Sequence, residues 1–238
     1  MKILILTLWC LVPIGLLAYH YGPGREQQAL DATAAILAEA EQKTSEGDWK
    51  AVIEAYELSL SKLPKDRIAE ARRIRLELSK ARMEASELPK AREELAALVD
   101  ELVQDTKADA GLRDEAISTL ATSRFYMTYL MKLEGLPDSE WEPEIEAARQ
   151  EQKLLVQRAT EAGDTEAAAK HADDLESTIR LARMDPEELY GKAIPKQCSS
   201  CNSGKCSNPG KKPGKKEGKK PKDSRSASAG PPIDGEGS

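Results

Sequence analysis

Residues 47–64 read GDWKAVIEAYELSLSKLP and contain the clearest helical pattern of the chain. Apolar side chains recur at i, i+3, i+4, i+7, i+11 and i+14, which places them in one stripe along an α-helix. They are Trp49, Val52, Ile53, Tyr56, Leu60 and Leu63. Asp48 stands directly before the stripe, where an aspartate caps the free N–H groups of a helix start. A single helix cannot bury such a stripe, so the pattern predicts a partner helix.

The same features extend over residues 25–190 and predict a domain built of helices. This region has 28 alanines and only four glycines, Gly47, Gly111, Gly135 and Gly163, which we expect at turns and helix C-caps. Ser139 and Glu142 have the spacing of a capping box. Because the connections are short, neighbouring helices should pack antiparallel. The predicted helices cover about 26–46, 48–63, 66–86, 89–105, 112–134, 140–162 and 165–183, with a short one from Pro186 capped by Asp185.

Composition and charge agree with an all-α fold. Of the 238 residues 32% are charged and only 4% aromatic, which is too few aromatic residues for a β-sandwich or β-barrel. The net charge is −6, but it is unevenly distributed. Residues 204–225 hold nine basic and two acidic residues, so the chain combines an acidic body with a basic tail.

The stretch that begins at Gly47 resembles the second half of a tetratricopeptide repeat. In that resemblance Gly47 closes the turn, Trp49 and Tyr56 fill the space between helices, and Pro64 ends the unit. The remaining matching positions are Val52, Ser59 and Leu60 in the same helix, and Ile36 and Ala40 in the preceding one. Glu39 and Lys43 depart from the apolar pattern of that preceding helix.

Later parts of the chain match the repeat less closely. Leu78, Ser79, Ala91, Leu95 and Leu98 give a second, fainter unit, at a spacing about five residues longer than the usual 34. A third pair of helices keeps the hairpin architecture without the motif. The resemblance implies hairpins stacked as a solenoid that binds another polypeptide. The alternative is an irregular helical bundle, or a spacer that binds nothing through its body.

The amino-terminal segment has the composition of a membrane anchor. Residues 3–19 are apolar, and a helix over residues 3–21 would be about 28 Å long, close to the thickness of the hydrocarbon core. We therefore predict a transmembrane signal anchor over residues 1–22. Lys2 favours a cytoplasmic amino terminus, which would place the body in the periplasm or another extracytoplasmic space. The alternative is a cleaved signal peptide, for which Ala18 is the only small residue near the end.

Two groups of side chains are candidates for partner binding. Tyr126, Tyr129 and Trp141 lie close to Phe125 in the sequence, which suits either a binding hot spot or an ordinary core. Arg72, Arg75 and Arg82 share one helix face and would hold the terminal carboxylate of a peptide. Alternatively they form a solvated face paired with residues such as Glu70 and Glu77.

The segment 191–238 contains three cysteines and paired lysines. Cys198, Cys201 and Cys206 favour a local or intermolecular disulfide outside the cytoplasm. A zinc site would need a fourth ligand, from His171, His20 or another chain, and redox chemistry lacks the strand that normally precedes such a motif.

The lysine tetrads from Gly210 to Pro221 predict a disordered polycation. Such an arm suits an anionic envelope polymer, a solubilising linker, or contact with the acidic body, but not sequence-specific nucleic-acid recognition.

No pattern in the sequence indicates catalysis. The chain has two histidines and lacks a phosphate loop, a nucleophile elbow and an H-E-x-x-H motif. We therefore expect no enzyme activity, cofactor or metal. The sequence predicts a membrane-anchored scaffold that binds a polypeptide, with a structural spacer acting through its cationic tail as the alternative.

Overall fold

The computed structural model describes Trp9, Val12 and residues 23–190, apart from the side chains of residues 23–25 and of Pro186. Within residues 23–190 every regular element is a helix, and the described residues include no strand, which confirms the all-α prediction. The helices are α1 (Pro23–Glu46), α2 (Trp49–Lys62), α3 (Ile68–Glu84), α4 (Leu88–Gln104), α5 (Ala110–Leu133), α6 (Asp138–Glu161), α7 (Thr165–Arg183) and α8 (Pro186–Tyr190).

The helices stack in two layers. Each helix from α1 to α6 packs against the next one in the chain, α3 and α7 both contact α5, and the short α8 packs on α5. Arg67, just before α3, reaches back to Glu26 on α1 at 3.2 Å. Helices α3, α5 and α7 are therefore neighbours, and with α1, which reaches the start of α3 through this ion pair although no Cα atoms of α1 and α3 lie within 8 Å, they form one layer, the odd layer. Helices α2, α4 and α6 form the even layer, in which no Cα atom of α4 lies within 8 Å of one in α6.

Residues with positive φ close the tight turns of the stack. Gly47, Gly135 and Gly163 have φ of 76°, 73° and 73°, the left-handed conformation that ends a helix without steric cost only for glycine. Ser86 takes the same place between α3 and α4 at φ 66°. The predicted turn role is confirmed for these three glycines and is wrong for Gly111, which is the second residue of α5.

Helix starts follow the predicted capping only in part. The Asp48 side chain accepts a hydrogen bond from the Ala51 amide at 3.2 Å, as predicted. The capping box of Ser139 and Glu142 is wrong because α6 starts earlier, after Pro137, and has no side-chain cap there. Proline at that position already has the extended backbone of a helix entry, with φ −65° and ψ 155°.

Two hydrophobic clusters lie in the stack. The smaller one joins α2 to α3 through Val52, Ile53, Leu78 and Ala81. The larger one runs from α3 to α8 and is centred on α5, which is buried along most of its length. Leu189 of α8 is fully buried in this cluster, which anchors α8 on α5.

The residues proposed as a repeat core lie between helices. Ala40, Val52 and Ser59 are buried. Trp49, Tyr56 and Leu60 are half-buried against the smaller cluster, and Ile36 is half-buried on α1. Gly47 turns the chain and Pro64 follows α2. The hairpin architecture is present, whereas the identity of the repeat remains an interpretation.

Several predictions fall outside the described residues. They are the anchor over residues 3–21 except for Trp9 and Val12, the cysteines at 198, 201 and 206, and the tail over residues 191–238. Among the helices that the structure describes, none has the length and apolar content needed to cross a bilayer.

Candidate binding surface

Arg72 and Arg75 are engaged by the neighbouring helix. The Nε of Arg72 donates to Glu101 at 2.8 Å and its Nη1 to Asp105 at 2.7 Å, while Arg75 donates to Glu101 at 2.5 Å. Hydrogen bonds from Arg72 and Arg75 keep the pKa of Glu101 below its usual value. These arginines tie α3 to α4, and a peptide carboxylate would have to displace the carboxylates that they already hold.

Arg82 lies deeper between three helices. Its side chain is only 3% exposed, and it pairs with Glu57 on α2, with Glu94 on α4, and at 3.6 Å with Glu87 before α4. Arg72, Arg75 and Arg82 therefore lie on one face of α3, as their spacing predicts, and their partners lie on or next to other helices. Of the suggested local partners, Glu70 pairs with Arg67 and Glu77 with Lys80.

The aromatic cluster lies inside the stack. Tyr126, Tyr129 and Trp141 are 2%, 4% and 8% exposed, and Phe125 meets Tyr126 edge to face at 5.5 Å. This placement favours the packing interpretation, since a hot spot needs side chains that a partner can touch.

A buried lysine adjoins these rings. Lys132 Nζ lies 4.0 Å from the centre of the Trp141 ring and donates to the Leu181 carbonyl at 3.1 Å. Burial lowers the pKa of Lys132. The amine thus holds the carboxyl end of α7 against α5 and α6, a role that the sequence pattern did not indicate.

A second group of charged side chains surrounds Lys80 of α3. Its Nζ donates to Glu77 at 2.7 Å and to Glu115 of α5 at 2.6 Å. Tyr56 of α2 is half-buried against the smaller hydrophobic cluster, and its pKa is raised, first by burial and then by the charges of Glu77 and Glu41. We name Glu41, Tyr56, Glu77, Lys80 and Glu115 the Lys80 cluster. Its residues lie on α1, α2, α3 and α5.

The electrostatics of the Lys80 cluster leave it negative. Burial disfavours the charged amine of Lys80, but its hydrogen bonds to Glu115 and Glu77 outweigh burial and raise its pKa. Glu77 and Glu115 stay 41% and 54% exposed, so their carboxylates remain accessible. Glu84, one turn beyond Lys80 on the same face of α3, has a pKa raised by burial. Within the Lys80 cluster one lysine thus faces three carboxylates.

The structure assigns no metal site to the described residues. No group of three His, Cys, Asp or Glu side chains in residues 23–190 is arranged to hold a metal ion. His171, one suggested fourth ligand for zinc, contacts Gln152 through Nδ1 at 3.2 Å, and burial lowers its pKa. His20 and the three cysteines lie outside the described residues.

Comparison with protein-family models, with curated proteins and with solved structures returned no match.

Proposed function

We propose that this chain is a scaffold whose helical stack binds a polypeptide partner over the Lys80 cluster. The observation that carries the proposal is the bridge from Lys80 of α3 to Glu77 on its own helix and to Glu115 on α5, two carboxylates that stay exposed. Exposed carboxylates suit basic side chains of a partner, and the half-buried Tyr56 ring adds an apolar contact with a hydroxyl at its edge. We assign no catalytic role to the chain.

We further propose that residues 3–21 hold the scaffold at a membrane, with the stack on the extracytoplasmic side. The apolar length of this segment and the position of Lys2 support that arrangement. A topology reporter fused after Tyr190, together with the mass of the mature protein, tests it. A reporter active in the cytoplasm, or a mature chain without its first twenty residues, would contradict it.

Site-specific photocrosslinking in the cells that make the protein tests the partner surface. A photoreactive residue placed at Glu115, or at the exposed Arg73 on the same face of α3, should crosslink to a polypeptide. The matched controls are Glu93 and Lys153, exposed positions on α4 and α6 of the even layer. Equal crosslinking at all four positions would refute a localised surface.

Deleting residues 205–225 separates the two interpretations of the chain. If the stack binds the partner, crosslinking at Glu115 survives the deletion. If the chain is a spacer that acts through its cationic tail, every association is lost with the tail. Charge reversal of Glu77 and Glu115 should abolish capture in the first case and leave it unchanged in the second.

A further inference from the structure

A cluster of four charged side chains bridges the seam between α4 and α6. Arg92 on α4 donates to both carboxylate oxygens of Glu144 on α6, through Nε at 3.2 Å and through Nη2. Arg124 on α5, beneath the seam, donates from Nη1 to Glu144 at 3.0 Å. The backbones of α4 and α6 do not approach each other, so these side chains link the two helices directly.

Glu151 is the member of this cluster whose carboxylate has the fewest hydrogen bonds. Its Oε1 lies 3.2 Å from Arg124 Nε, but that N–H forms no hydrogen bond, and its Oε2 is buried without a hydrogen-bond partner. Glu144, two turns away on the same helix face, already takes the hydrogen bonds of both arginines. An ionised carboxylate with one unpaired buried oxygen carries a desolvation cost, which protonation removes.

We propose that Glu151 makes the α4–α6 seam a proton-sensitive clasp, closed when Glu151 is protonated and loosened when it is ionised. Because Oε2 is buried without a hydrogen-bond partner, we expect its hydration in the ionised form to require that the side chains over the seam move apart. The charged groups that face Glu151 are Arg92 from α4, Arg124 from α5 and Glu144 from α6 itself. On the α7 side of the same helix, the adjacent Gln152 contacts His171. The proposal concerns the stack alone and does not depend on the partner surface.

The sign of the effect follows from the pKa of Glu151. Burial raises this pKa from 4.5 to about 7, and the neighbouring Arg124 only partly opposes the change. Because the folded-state pKa exceeds the unfolded-state value, folding favours the protonated form. The contribution of Glu151 to stability is therefore fully present below about pH 4.5 and is lost as pH rises through about 7.

Carboxyl ¹³C NMR on the full chain tests the proton binding directly. With glutamate labelled at the carboxyl carbon, the resonance missing from Glu151→Gln identifies Glu151, and we expect its midpoint at about pH 7. A midpoint near the ordinary value of 4.5 would overturn the proposal.

Urea unfolding at several pH values gives a second measure of the pKa of Glu151. From well below pH 4.5 to well above pH 7 the unfolding constant of the wild type should rise relative to E151Q by up to about 300-fold.

Spin labels at the exposed Ala97 of α4 and Lys153 of α6, in a background with the native cysteines replaced by serine, report the seam itself. We expect the distance to lengthen from about pH 5 to about pH 8 in the wild type and to stay short in E151Q. Glu146→Gln is the matched control on the same helix, because Glu146 is exposed and hydrogen bonds from Gln150 and Arg149 lower its pKa. In this control the distance between the two spin labels should lengthen with pH as it does in the wild type. A normal Glu151 titration with an unchanging distance would refute the clasp.

Discussion

Replacing the partners of Arg82 should cost more stability than replacing Arg82 itself. The guanidinium is 3% exposed, whereas Glu57, Glu87 and Glu94 are 49%, 46% and 36% exposed. Changing all three glutamates to glutamine leaves a charge buried between α2, α3 and α4 without a counter-charge. Changing Arg82 to methionine removes that charge. The three carboxylates lose their ion-pair partner but stay in contact with water, because they are already exposed.

The exposed fractions of these side chains determine how much unfolding free energy each substitution should cost. Removing the counter-charges of a buried ion costs about 3–5 kcal/mol. For Arg82→Met we expect about 1 kcal/mol, because methionine keeps most of the aliphatic volume and the surviving carboxylates are hydrated. Combining Arg82→Met with the three glutamines should recover most of the loss, since the buried charge that made the glutamines costly is then absent.

Urea unfolding of the four proteins, followed by far-ultraviolet circular dichroism, measures these differences at one ionic strength. The decisive comparison is between the triple glutamine variant and Arg82→Met, both of which break the same ion pairs. If Arg82→Met proved the more destabilising, or if the combined variant lost the sum of both effects, the guanidinium would be stabilising by its own packing. The argument from buried charge would then be refuted.

Three smaller predictions concern the turns. Asp48→Ala should lower the free energy of unfolding by about 1 kcal/mol, because the Ala51 amide loses its cap, and urea unfolding against Asp48→Asn checks it. Ser86→Gly should raise stability by about 1 kcal/mol, because φ 66° is strained for serine, and an unchanged melting temperature would contradict this. Gly47→Ala should lower the free energy of unfolding by about 1 kcal/mol. The loss comes from backbone strain and not from a steric clash, since an added Cβ would meet nothing within 4 Å, and urea unfolding measures it.

Helical periodicity and turn residues were enough to place every helix of the described region close to its observed bounds. The predicted 165–183 agrees with α7, and the other boundaries differ by a few residues at most. The errors lie at helix starts, where local motifs compete. Ser139 and Glu142 have the right spacing for a capping box, but Pro137 ends the preceding turn and admits an earlier start at Asp138.

The charged side chains could not be placed in the same way. Local spacing offers an arginine only partners three or four residues away, which is why Glu70 and Glu77 were the natural candidates for the arginines of α3. The observed partner of Arg72 and Arg75, Glu101, lies 29 and 26 residues along the chain. Such pairs depend on how α3 is set against α4, which periodicity leaves open. The Lys80 cluster was not predicted for the same reason, since Lys80 and Glu115 are 35 residues apart in the sequence.

The register of α3 against α4 is set first by their connection. Only residues 85–87 lie between the two helices, so a shift of one by seven residues along the other has no chain to accommodate it. The ion pairs agree with this register, because Arg82 meets Glu94 and Arg75 meets Glu101, two antiparallel pairs spaced seven residues apart. The charges do not select the register alone, since a shift by seven residues would bring Arg82 to Glu101, another carboxylate. We infer that the short turn fixes the register and that the ion pairs stabilise the pairing that the turn imposes.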